Sequence, residues 1–125
     1  MSDANDGPKT GEFSWNELVT RDVAVSKTFY SGLFGWTVEP FQDGDYTLFK
    51  QGDTVVGGLM KCPDPGLPSH WLPYVTVDDV DASAKKAAAL GAKIVVDPRD
   101  IPSVGRIAVL TDPQGAPIGL FKPKK

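Results

Sequence analysis

Hydrophobic positions along this chain switch repeatedly between a period of two and a period of 3.6. Phe13-Ser-Trp15-Asn-Glu17-Leu-Val19-Thr20 is rich in β-forming side chains and ends at Arg21-Asp22, a strand running into a helix N-cap. Beyond Asp22, residues Ser26, Phe29, Tyr30 and Leu33 fall at i, i+3, i+4 and i+7, the spacing of an amphipathic helix. Gly35 supplies its stop. Three strands follow, Trp36–Phe41, Tyr46–Lys50 and Thr54–Met60, separated by turn signals at Asp43-Gly44 and Gly52-Asp53. Pro63–Ser69 contains Pro63, Pro65, Gly66 and Pro68. That density of breakers excludes a helix or central strand and predicts a linker.

After the linker the plan repeats. His70–Val77 reads as a strand ending at Asp78-Asp79, Val80–Leu90 as an Ala-rich helix stopped by Gly91, and Lys93–Asp97, Arg106–Thr111 and Ala116–Lys122 as three strands. The last two are joined by the turn Asp112-Pro-Gln-Gly115. An offset of 57 superposes Asp22 on Asp79, Ser26 on Ser83 and Leu33 on Leu90. Caps and core-facing positions coincide, as expected of a duplicated module. The predicted organisation is a disordered start (1–12), module one (13–62), a linker (63–69) and module two (70–122).

Composition narrows the function. The chain has 125 residues with 13 Gly and 11 Pro spread between apolar runs, which implies many short elements rather than a helix bundle. Lys+Arg 13 against Asp+Glu 16 gives a net charge of −3. The small excess of cations in the second half is mostly a solvated tail, Lys122, Lys124 and Lys125. No basic patch points to nucleic acid. No apolar run approaches the ~20 residues of a membrane helix. Cys62 is the single cysteine, so no internal disulfide forms, and a reducing, cytoplasmic location is expected. The polar, acidic Met1–Glu12 has no signal-peptide core.

Several stretches carry a family resemblance: Trp15-Asn-Glu-Leu-Val-Thr-Arg-Asp22, Leu33-Phe-Gly-Trp36, Val77-Asp-Asp-Val-Asp81 and Gly105-Arg-Ile-Ala-Val-Leu-Thr-Asp-Pro-Gln-Gly115. In order and spacing the chain resembles the glyoxalase/bleomycin resistance/extradiol dioxygenase (vicinal oxygen chelate) superfamily. The resemblance implies an α+β fold of two paired β-α-β-β-β modules. They form a curved mixed sheet around a central cavity, with the helices outside. It also implies a homodimer and, in metal-dependent members, a divalent ion on His, Glu or Gln side chains. The positions the resemblance assigns to ligands hold Trp15, Leu72 and Gly119 here. None offers a ligating side-chain atom, so no resident metal is expected, a divalent ion at a relocated site remaining the alternative.

Strand alternation puts Glu17 on the face of Trp15, and His70 on the face of Leu72. Glu17 either recognises a polar substrate, acts as a base or ligates a displaced metal, or else pairs with Arg106 or a backbone group. His70, the single histidine, is either an exposed loop residue or a binding partner. Trp15, Leu72, Tyr74 and Phe121 read as an apolar, aromatic wall, with Tyr46 a further wall candidate. They suit a flat or greasy small molecule, or fill the cavity themselves. Arg106 holds an anionic group, lies exposed or pairs with an acid. Gly57-Gly58 inside a strand predicts a bulge or a close approach. Two functions follow. One is a binding protein for a small, partly apolar molecule. The other is a lyase, isomerase or dioxygenase-type enzyme with a relocated metal or acid/base site at Glu17 and His70. A third reading is an accessory domain with a vestigial cavity.

Overall fold

The structure is a computed structural model describing residues 7–42 and 44–124. Its elements are β1 (Phe13–Thr20), α1 (Val23–Phe34), β2 (Thr37–Phe41), β3 (Tyr46–Gln51), β4 (Thr54–Lys61), β5 (His70–Thr76), α2 (Val80–Ala89), β6 (Lys93–Ile101), β7 (Gly105–Thr111) and β8 (Pro117–Pro123). This is an α+β chain in which the β-α-β-β-β order occurs twice. Two compact units result: Trp15–Leu72, and Pro73–Lys125 with the residues up to Ser14. β1 and β5 therefore each contribute residues to both units, and Pro63–Ser69 belongs to the first.

Within the first unit the strands lie in the order β2-β3-β4-β1. β1 runs parallel to β4, with Glu17 opposite Gly58; β3 is antiparallel to both its neighbours. The pairing of β3 with β4 slips between Phe49 and Lys50, leaving Val56 as an extra residue beside Gly57, the bulge that Gly57-Gly58 predicts. The helix α1 starts where Asp22, in extended conformation, accepts a hydrogen bond from Val25 N at 3.1 Å. It ends at Gly35, whose left-handed backbone (φ 75°) lets its N–H reach Ser31 O. Leu18, Phe49 and Leu59 form the core, covered by Val23, Tyr30, Trp36 and Val56. Tyr30 is the hub of an aromatic cluster: its ring meets Trp36, Phe49 and Trp71, and its hydroxyl accepts from Trp71 Nε1 at 3.1 Å. Of the expected Asp43-Gly44 turn, Asp43 lies outside the described residues.

In the second unit the order is β5-β8-β7-β6. β5 and β8 are parallel, with Tyr74 opposite Gly119, and β7 is antiparallel to β8 and β6. α2, capped by Asp79 through Ala82 N, buries Val80 and Ala84. β6 continues past Asp97 to Ile101, although Pro98 reads as a breaker. The strand is at the edge of this order and its register slips between Val96 and Arg99, where a missing N–H costs nothing in the ladder. The sequence points to disorder through residue 12. Here Gly11 N donates to Thr76 O, Thr76 N to Glu12 O, and Thr10 Oγ1 to Asp78; residues 1–6 lie outside the described residues, as does Lys125. Among the described residues no helix is long and apolar enough to cross a membrane.

Candidate functional site

Alternation along β1 divides its side chains cleanly. Leu18 and Thr20 face α1, while Trp15, Glu17 and Val19 face the other way. Glu17 is a carboxylate with only 7% of its surface exposed, and such a group needs hydrogen-bond donors. Tyr46 provides one: its Oη donates to Glu17 Oε1 at 2.8 Å and accepts from Trp15 Nε1 at 2.9 Å. An indole, a phenol and a carboxylate are thus linked in series.

Gly58 makes this geometry possible. It lies opposite Glu17 on β4, and a Cβ there would occupy the volume of the Tyr46 phenol. Any side chain at 58 would lift the ring off the sheet and away from Glu17. Tyr46 is thus a partner of Glu17; the guanidinium of Arg106 holds Asp81 and Asp100. Tyr46, expected only as a wall, is the hub of the cluster. The signal that could have found this was the Gly57-Gly58 pair, of which Gly57 serves close approach to the Asn16 carbonyl and Gly58 the Tyr46 ring.

The second unit repeats the device with different residues. Tyr74, the offset-57 counterpart of Glu17, sits opposite Gly119 and lays its own ring over it; a Cβ at 119 would overlap that ring. Tyr74 is buried and Phe121, two residues beyond Gly119, half-buried. Arg106 lies on the opposite face of β7 from Ile107, the residue paired with Phe121. Its guanidinium holds Asp81 at the start of α2 through Nε (2.8 Å) and Nη2 (3.0 Å), and Asp100 through Nη1 (3.0 Å). Of the roles open to Arg106, the geometry gives it that of partner to acids on the helix side. The hydrogen bonds from Arg106 hold the pKa of the Asp81 carboxyl below its ordinary value, and donating to Asp81 and Asp100 raises that of the guanidinium further.

His70 opens β5 and is held by the chain just before it. Its Nδ1 is 2.9 Å from Pro68 O, and a carbonyl only accepts, so Nδ1 carries the proton. The residue borders a hollow of about 340 Å³ with Leu18, Thr20, Ser26, Tyr30 and Trp71, on the helix side of β1. Leu72 is buried in the same unit. Cys62 is buried and its thiol donates to Asp64 O.

A divalent ion on protein ligands does not fit these residues. At the positions the family resemblance assigns to ligands, the Trp15 indole is bonded to Tyr46 and Gly119 lies under the Tyr74 ring. Among the described residues, no three His, Cys, Asp or Glu side chains converge.

The β-α-β-β-β order, occurring twice, is that of a glyoxalase-type protein. The chain belongs to the Glyoxalase/Bleomycin resistance protein/Dioxygenase superfamily, whose sequence profile matches residues 12–120. It is 48% identical over 118 residues to CFP32 of Mycobacterium tuberculosis, named as a glyoxylase, covering 92% of this chain and 45% of that protein. It is 32% identical over 129 residues to the anthracycline biosynthesis protein DnrV of Streptomyces peucetius, covering 90% and 47%. The chain spans about half the length of these curated relatives. The Mn(II)-bound glyoxalase of Novosphingobium aromaticivorans has the same fold (TM-score 0.62, 20% identity, 91% of this chain and 39% of that one).

Proposed function

We propose that this protein binds a small, flat, partly apolar molecule on the β1–β3 face of its first unit, without a divalent metal, and does so as a homodimer. The observation that carries the reading is the hydrogen-bonded Trp15–Tyr46–Glu17 series, in which Glu17 is buried and both aromatic rings are half-buried. Aromatic faces favour a flat ligand, and a carboxylate among them favours one bearing a hydrogen-bond donor or a cationic nitrogen. Arg106 is left out because its donors already serve Asp81 and Asp100. A neutral or donor-bearing ligand therefore suits the face better than an anionic one.

A second reading draws support from the likeness to a protein named as a glyoxylase. In it Glu17 moves a proton on the bound molecule, its carboxylate oriented by Tyr46. His70 enters that reading only if it leaves Pro68.

The test is a thermal-shift and calorimetric screen of flat aromatic compounds, in matched pairs with and without a donor group, in excess chelator. Donor-bearing compounds should bind, and Glu17→Gln should weaken them about 10-fold, the worth of one charge-assisted hydrogen bond. The binding reading fails if no compound binds, or if binding appears only when Mn(II) or Zn(II) is restored. Turnover of a bound carbonyl compound that is lost in Glu17→Gln selects the second reading.

A further inference from the structure

The two helices, equivalent in the duplicated plan, present opposite surfaces to solvent. α2 exposes Asp81, Lys85 and Lys86, an ordinary solvated face. α1 contains no buried residue, and its outward half carries no charge. Its i, i+4, i+8 rows sort by exposure. The row Val25, Phe29, Leu33 is 64%, 57% and 58% exposed. The adjacent row Ala24, Thr28, Gly32 is exposed as well, whereas Val23, Lys27 and Ser31 are half-buried. A ridge of large apolar side chains therefore runs beside a furrow of small ones. A shallow hollow lined by Ala24, Val25, Thr28 and Phe29 marks the furrow, and a Cβ at Gly32 would meet nothing within 4 Å. Phe34 and Trp71 extend the apolar surface.

We infer that this face of α1 docks on the same face of a second copy of the chain. The inference rests on the homodimer part of the reading above and assigns its surface. A ridge of i, i+4 spacing beside a furrow of the same spacing is self-complementary. Across a two-fold axis, Val25–Phe29–Leu33 of one copy fits between the small residues of the other and the reverse, the commonest way for helices to interdigitate. Lacking charge, the face neither repels its copy nor calls for an oppositely charged partner. The area is also right. Val25, Phe29, Leu33, Phe34 and Trp71 together expose on the order of 500 Å² per copy, or about 1,000 Å² for two. A homodimer interface of ~1,600 Å² that is ~65% apolar contains about that much apolar surface.

Sedimentation equilibrium of the full chain tests this. The expected species has twice the 13.4 kDa chain mass. Phe29→Glu should raise the dissociation constant about 30-fold or more, as loss of a central aromatic anchor does. Gly32→Leu is the stricter variant. It points into open space within the subunit and improves helix propensity, so the fold should be kept or strengthened while the filled furrow raises the dissociation constant by a similar factor. Leu90→Glu, more exposed still but on the second unit, should leave association unchanged. A wild-type chain that stays monomeric overturns both the homodimer and its surface. A dimer that persists in Phe29→Glu and Gly32→Leu overturns the α1 assignment alone.

Discussion

Replacing Gly58 by alanine puts one methyl group where the Tyr46 phenol lies. The ring must leave, because the neighbouring strand cannot. Its departure removes the donor to Glu17 and the acceptor for Trp15. A hydrogen bond to a charged group contributes about 1.5–3 kcal/mol and a neutral one about 1 kcal/mol; overpacking adds ~1–3 kcal/mol. Gly58→Ala is therefore expected to cost about 3.5–7 kcal/mol, a large share of the ~5–15 kcal/mol of a domain this size. Tyr46→Phe, which removes only the hydroxyl, should cost about 2.5–4 kcal/mol. The decisive comparison is Gly58→Ala in a Tyr46→Ala background. With the ring gone the methyl has room, and its cost should fall below about 1 kcal/mol, a coupling of at least about 2.5 kcal/mol. Urea unfolding midpoints of the four proteins measure this directly. Additive costs, or a Gly58→Ala protein as stable as the parent, would refute the placement of Tyr46 over Gly58.

Gly119→Ala should behave likewise through Tyr74, destabilising by about 2–4 kcal/mol, and by far less in a Tyr74→Ala background; denaturant unfolding reads both. Leu59→Ala empties the centre of the first unit's core and should cost about 2–5 kcal/mol in the same assay. The Arg106 ion pairs give a pH signature. Because Asp81 titrates below its ordinary value, the pair's stability is present above about pH 4 and fades as pH falls through the lowered value. The gap in unfolding midpoint between wild type and Arg106→Met should be flat from pH 5 to 8 and close in acid; a gap that widens in acid contradicts the pairing. Added Mn(II) or Zn(II) should leave the melting temperature of chelator-treated protein unchanged, where a resident metal would raise it.

Much of this was legible in the chain. Asp22, Gly35 and Asp79 marked the helix ends because capping is local chemistry, readable from a few neighbouring residues. The alternation in β1 correctly separated Glu17 from Leu18, since strand geometry fixes the faces. The 57-residue offset found the duplicated order. Long-range contacts were out of reach. Nothing near Glu17 in sequence announces Tyr46, 29 residues away, as its donor, or that Gly58 is small to admit the ring. Arg106 had several equally plausible roles until Asp81 and Asp100 were brought to it by α2 and β6. His70 shares the parity of Leu72, yet Pro68, just before the strand begins, takes its ring nitrogen. Parity governs side chains within a strand and loses its grip at the ends. The outward face of α1 was likewise hidden. The i, i+3, i+4 pattern located the inward Ser26 and Tyr30, but exposure of Phe29 and Leu33 depends on what packs nearby.

The proposed binding face is built from Trp15, Tyr46 and Glu17 and is proposed to work without a divalent metal. Its most direct test is tryptophan-fluorescence titration with a flat, donor-bearing aromatic compound in excess chelator, for wild type, Glu17→Gln and Tyr46→Phe. Saturable one-to-one binding to the wild type, weakened about 10-fold in each variant, is the predicted result. Binding that requires added divalent metal, or that both variants retain at full strength, would contradict it.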